Sequence, residues 1–193
     1  MKYIVAILFF VFSSCVSAQK DHAIELVIIR SQHALLVKQG NMTLQKFKVA
    51  LGSGGRKAKR REGDHSTPTG TYRISKIRES EHFHLFLQLN YPNTQDAKRA
   101  LKNYTITRKQ YRDILDAQTY GWLPPQNTAL GGSIGIHGIG DETPDKIAIH
   151  RIADWTQGCI ALRNKEVDKL SRYVKIGTIV KIVDKLPIKP RSP

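Results

Sequence analysis

The chain is poor in cysteine: it holds two in 193 residues, and one of them, Cys15, sits in the N-terminal apolar stretch. A disulfide framework is therefore excluded, as is a zinc module built on paired cysteines. Acidic residues are also scarce, with 16 Asp and Glu against 31 Lys and Arg, for a formal net charge of +15. Such an excess attracts anionic surfaces and polymers. No recognisable nucleic-acid module accompanies it, so nucleic acid is not an expected partner. Past the N-terminus no hydrophobic run approaches bilayer length, which excludes a second membrane span. An internal repeat is lacking too.

What the N-terminus does have is an export pattern. Met1-Lys2 gives a short positive start, residues 3–12 are apolar, and Val16-Ser17-Ala18 is a small-residue cleavage site before Gln19. Residues 1–18 are read as a signal peptide. The apolar run is short for a retained transmembrane helix, so no membrane span is expected after cleavage. A lipid anchor on Cys15 is the competing reading, but Phe12 stands where such sites usually carry leucine. The mature chain suits one domain with a sizeable core. It keeps one thiol, Cys159, in a compartment that oxidises thiols. That thiol has no intramolecular partner, and is either an inert buried side chain or a nucleophile.

The pattern along the mature chain is mainly β with a few helices, a sandwich or barrel decorated by helices. Residues 24–29 and 33–37 read as a hairpin around Ser31-Gln32, and 44–51 as a third strand. Gly52-Ser53-Gly54-Gly55 precedes Arg56, Lys57, Lys59, Arg60 and Arg61. The cluster lacks the ending of a nucleotide-binding loop and reads as a mobile, solvated loop within reach of an anionic substrate. Strands are expected at 72–77, 83–89, 134–137 and 179–183. Helices are expected at 94–103, 107–117 and 164–174, the last with Asn164 as N-cap. Residues 93–126 are long and polar enough to contribute a lid. Residues 141–146 read as a polar loop, and residues 185–193 as a basic, proline-rich tail.

A cysteine attacks carbonyl carbon as thiolate, so it needs a base or a cationic neighbour. His137, at the end of an apolar strand and followed by Gly138, is the best candidate base. His150, beside Arg151 and nine residues before the cysteine, is the second. Spacing alone does not choose between them. Gly158 would form a tight turn that exposes the sulfur and brings backbone N–H groups to an oxyanion. Trp155 is a candidate apolar wall. Zinc on His137, His150 and Cys159 is disfavoured because the spacing is not compact and no fourth ligand stands out.

These residues carry a resemblance. Ile136-His137-Gly138 and Thr156-Gln157-Gly158-Cys159-Ile160, with Gly63-Asp64-His65-Ser66-Thr67-Pro68-Thr69-Gly70 and Gly177-Thr178-Ile179-Val180, resemble the YkuD-type L,D-transpeptidase family. Tyr91-Pro92-Asn93 and the run from His150 to Thr156 look like its periplasmic, murein-acting branch. The resemblance covers residues 24–184 as one catalytic domain.

It implies a cysteine acyltransferase on peptidoglycan stem peptides, working through a thioester without a cofactor or metal. Cys159 would be the nucleophile and His137 the base, with the Gly138 carbonyl orienting the imidazole. His150, Arg151, Gly158 and Arg163 are candidates for oxyanion or substrate contacts. The acceptor could be a diamino acid, an envelope lipoprotein, or water in a carboxypeptidase or amidase. A non-catalytic wall-binding protein of the same fold is a further alternative. Many members carry arginine where this chain has Ala161, and histidine where it has Gln157. The stretch between His137 and Cys159 is also a few residues longer than in common members.

Overall fold

The computed structural model describes residues 23–186. The expected export segment with Cys15 and Gln19, and all but the first two residues of the expected tail, lie outside the described residues. Eight strands form one sheet in the order β3-β2-β1-β8-β4-β5-β6-β7. They are β1 Ile24–Ile29, β2 Ala34–Gln39, β3 Met42–Lys48, β4 Gly70–Ser80, β5 His84–Leu89, β6 Gly135–Gly138, β7 Ile160–Leu162 and β8 Ile179–Val183. The helices are α1 Thr94–Lys102, α2 Arg108–Tyr120, α3 Pro144–Ile152 and α4 Asn164–Ser171. Among the described residues no helix is long and apolar enough to cross a membrane.

β1 is apolar on both faces, and its Leu26, Val27, Ile28 and Ile29 are all buried. It can therefore be central, antiparallel to β2 and parallel to β8. Leu26 stands opposite both Val37 and Val180, a register that puts all three in the same core. On its far side β8 pairs with β4, and a hairpin carries β4 into β5. β6 then pairs with β5, and β7 lies parallel to β6 with His137 opposite Ala161.

The sheet nearly closes. Past the end of β3, Ala50 N–H donates to the Ala161 carbonyl at 3.1 Å, and Ala161 N–H donates back to Ala50 at 2.9 Å. One step further on, Thr156 N–H donates to Leu51 at 3.1 Å and Ser53 N–H to Thr156 at 2.9 Å. The expected sandwich or barrel is thus a nearly closed, barrel-like sheet, and its seam runs beside Cys159.

Several elements differ from their sequence reading. Residues 141–146 are not all loop. Thr143 Oγ1 accepts from Lys146 N–H at 3.3 Å, and Pro144 opens α3, where its missing N–H costs nothing. The N-cap of α4 is Arg163 rather than Asn164, and the helix ends at Ser171. Asn164 instead turns its side chain to Gly140, donating to the carbonyl at 2.7 Å and accepting from the N–H at 3.1 Å. Residues 93–126 fold into the α1–α2 pair with its own small core, centred on Ala97, Ile106, Ile114 and Leu130. Capping boxes start both helices, at Asn93 and at Thr107, and Gly121 at φ 74° ends α2.

The basic loop is built rather than merely solvated. Arg30 is 2% exposed and threads beneath it. Its guanidinium donates to the carbonyls of Arg56 at 2.6 Å, Lys57 at 3.2 Å and Thr67 at 2.5 Å, and to Asp184 Oδ1 at 2.8 Å. One buried side chain thus ties the loop to the end of β8. Arg30→Met leaves these acceptors without a donor and should lower stability by about 3 kcal/mol. Urea unfolding checks this, and a midpoint within experimental error of the parent would contradict the clamp.

Candidate active site

Cys159 lies at the entry to β7, and a local turn shapes its approach. The Thr156 hydroxyl accepts from Gly158 N–H at 3.1 Å and donates to the Cys159 carbonyl at 2.8 Å. Gly158 has φ 125°, and a Cβ there would sit 2.9 Å from the Ser66 carbonyl oxygen. Glycine is required on both grounds. The half-buried thiol donates to the Ser133 carbonyl at 3.4 Å. The Gly135 N–H also faces the sulfur and stabilises its charged form.

His137 is carried to the same cavity by β6, and is 2% exposed. Its ring lies 4.3 Å from Phe83, 6.0 Å from Phe86 and 6.1 Å from Trp155, centroid to centroid. Nδ1 is 2.7 Å from the Gly138 carbonyl oxygen. A carbonyl only accepts, so Nδ1 carries the proton of the neutral ring and Nε2 keeps its lone pair. The aromatic cage strips water from the ring, and this burial lowers its pKa to about 4 despite the Gly138 hydrogen bond. Burial likewise pushes the Cys159 thiol up to about 11, against the opposing pull of Gly135 N–H and the Lys59 charge. At neutral pH the pair is therefore thiol and neutral imidazole, not thiolate and imidazolium.

The cavity has a volume of about 630 Å³ and is lined by Cys159, His137, Trp155, Phe86, Lys59 and Arg78 among others. Lys59 went unseen in the sequence because it lies within a run of like charges. It is 3% exposed and pairs with Asp64 at 2.8 Å. Asp64 also accepts from the N–H groups of Arg60, Arg61 and Ser66 at 2.6, 3.1 and 3.0 Å. Burial works against that carboxylate, but these donors together hold it near a pKa of 2. The one available signal was an aspartate five residues after a lysine in a glycine-bounded loop. Arg78 lies over the Phe86 ring, 4.9 Å from its centroid.

The other sequence candidates are dispersed. His150 sits behind Trp155, whose indole N–H donates to His150 Nδ1 at 3.4 Å. It lines a separate cleft together with Arg151. Arg163 is engaged by Glu142, with both contacts at 2.8 Å. None of these three lines the cavity that holds Cys159 and His137. Gly138 and Gly158 act through their backbones, as described. Of residues 93–126, from which a lid is expected, Gln126 alone lines the cavity. Among the described residues no group of His, Cys, Asp and Glu could hold a metal ion.

Fold and cavity together define a thiol–imidazole site on a nearly closed sheet, suited to nucleophilic attack on carbonyl carbon. The same fold occurs in Pgp2, the helical cell shape determining protein of Campylobacter jejuni, at TM-score 0.59 and 20% identity over 89% of this chain and 51% of that one. Bd1075 of Bdellovibrio bacteriovorus matches at TM-score 0.55 and 19% identity, again over 89% of this chain and 51% of that one. The L,D-transpeptidase of Xylanimonas cellulosilytica matches at TM-score 0.50 and 15% identity, over 85% of this chain and 62% of that one. This chain thus spans about half the length of the first two. No curated protein sequence matches it. The sequence model of the L,D-transpeptidase catalytic domain matches residues 23–182, and the chain belongs to this YkuD family.

Two measurements follow from the buried pair. As pH falls from about 6.5 to about 4, the unfolded chain takes up a proton that folded His137 does not. Stability conferred by the neutral ring is complete above that window and lost through it, by on the order of 3 kcal/mol. His137→Gln should flatten this part of the stability profile, and an unchanged slope would contradict the assigned shift. Separately, iodoacetamide labelling of Cys159 should rise about tenfold per pH unit from about pH 7 to about pH 10. Lys59→Met should slow it further. A plateau near neutrality would mean a preformed thiolate.

Proposed function

We propose that the protein catalyses cysteine-dependent acyl transfer on peptidoglycan stem peptides at the cell envelope, after export through residues 1–18. The observation that carries this reading is His137, pinned through Nδ1 to Gly138, sharing one cavity with the Cys159 thiol. Membership of the L,D-transpeptidase catalytic-domain family supports this reaction class.

In the proposed reaction the Cys159 sulfur attacks the carbonyl carbon of a stem peptide bond while its proton passes to His137 Nε2. Concerted transfer suits a pair that is neutral at rest, since neither charge then forms in the apolar cage before the bond does. The tetrahedral oxyanion collapses, the C–N bond breaks, and the imidazolium proton goes to the departing amine. A thioester remains on Cys159. An acceptor amine then attacks it, giving its proton to His137; the C–S bond breaks and the thiol is restored. Lys59, held by Asp64, and Arg78, which has no ion-pair partner among the described residues, line the cavity with Glu62, and the Arg78 guanidinium suits a donor bearing carboxylates. Trp155 packs on the edge of the base, and His150 behind it holds the indole.

Incubation of the protein with purified sacculi, followed by mass analysis of the muropeptides, tests the reading. Transfer to a diamino acid gives new dimers, whereas water as acceptor gives shortened monomers or freed lipoprotein. Cys159→Ala should abolish product, and His137→Ala should slow it by about a hundredfold or more. Undiminished product from Cys159→Ala would refute the proposal.

A further inference from the structure

Residues 56–61 place five cationic side chains in six positions. Like charges held this close repel one another, and a mobile loop would let them spread. This loop cannot spread. Buried Arg30 grips its first two carbonyls, and Asp64 grips the N–H groups of Arg60 and Arg61. Of the five, Lys59 turns inward to the cavity of Cys159, while Arg56, Lys57, Arg60 and Arg61 are exposed. Among the described residues none of these four has an ion-pair partner. Lys57, Arg60 and Arg61 line a second cleft of about 740 Å³ together with Asp64, whose carboxylate is already taken up by Lys59 and by the loop N–H groups.

We propose that this loop is a docking ledge for a carboxylate-bearing polymer, namely the peptidoglycan strand whose stem peptide enters the neighbouring cavity. The choice of polymer rests on the proposed function. Fixed, unpartnered cations are complementary to repeated carboxylates. The inward turn of Lys59 makes the ledge continuous with the site, so neighbouring stems on one strand can engage the outer cations while one stem reaches the thiol. The ledge acts through charge, and its contribution is therefore largest at low ionic strength. It supplies affinity for the intact wall and contributes little to a single soluble stem peptide.

The test is co-sedimentation of the full chain, as Cys159→Ala, with purified sacculi across a salt series. The loop variant combines Arg56→Gln, Lys57→Gln, Arg60→Gln and Arg61→Gln. A control variant removes the same charge from the α1–α2 surface, through Lys98→Gln, Lys102→Gln, Arg108→Gln and Arg112→Gln. The loop variant should bind about tenfold or more weakly at low salt and lose most of its salt dependence, with the control close to the parent. Because the four side chains are exposed and repel one another, its unfolding midpoint should not fall. With Cys159 restored, the loop variant should turn over a soluble tetrapeptide at the parental rate.

Equal loss in the control variant would show an undirected charge effect and overturn the ledge. So would unchanged binding by the loop variant, or undiminished binding to sacculi whose carboxylates have been amidated. Preference for anionic phospholipid vesicles over sacculi would assign the loop to a membrane surface and overturn the proposal as well. A parent that binds sacculi through the loop yet yields no product would refute the acyl transfer and leave the ledge standing.

Discussion

Two hydrogen bonds between Ala50 and Ala161, continued by two more at Thr156, nearly close the sheet, and the geometry of the site depends on that seam. β7 is only three residues long, too short to hold its own position on one neighbour. It is fixed by parallel pairing with β6 on one side and by the extension of β3 on the other. That double pairing sets His137 opposite Ala161 and brings the Cys159 turn to the mouth of the same cavity. The chain crosses closely here: a Cβ on Gly52 would run into the His65 carbonyl oxygen and lie 2.9 Å from the Gly158 Cα. Ala161 is part of this seam and is fully buried.

Burial decides the electrostatic character of the cavity. For His137 the Gly138 hydrogen bond favours the charged ring, yet desolvation by three aromatic neighbours outweighs it. For Cys159 the Gly135 N–H and the Lys59 ammonium favour thiolate, and desolvation again prevails. On the proposed reading, the resting site is therefore chemically quiet in an oxidising compartment. Its proton moves only when a carbonyl carbon is in place to receive the sulfur. Lys59 supplies the one nearly buried positive charge in the cavity wall, and its ion pair with Asp64 keeps that charge in a fixed position.

Much of the fold was legible from residue patterns. β1 announced itself by the apolar run at residues 26–29, β8 by a short run after Gly177-Thr178, and α1 and α2 by polar sequences with apolar residues at helical spacing. α3 was hidden because its amphipathic pattern is weak: Ile149 and Ile152 are exposed, and His150 is its buried side chain. The cap of α4 was misread because Asn164 bonds to Gly140 across the fold, an interaction that local sequence does not encode. At the site, spacing left His137 and His150 both open as neighbours of Cys159, and it is the strand pairing of β6 with β7 that brings His137 to the same cavity. The dispersal of His150, Arg151 and Arg163 was not legible, since it depends on α3 and on the Glu142 contact. The buried Lys59 was least visible of all, because its burial is set by Arg30 and Asp64 from either side of the loop.

In the proposed reaction the Cys159 sulfur takes up an acyl group from a stem peptide. Intact-protein mass spectrometry after rapid acid quenching, during turnover of a tetrapeptide donor without an acceptor amine, tests it most directly. The expected result is an adduct of the donor's acyl mass, mapped to the peptide containing Cys159 and released by hydroxylamine. Product formation with no such adduct at any quench time, or with an adduct mapped to another residue, would contradict it.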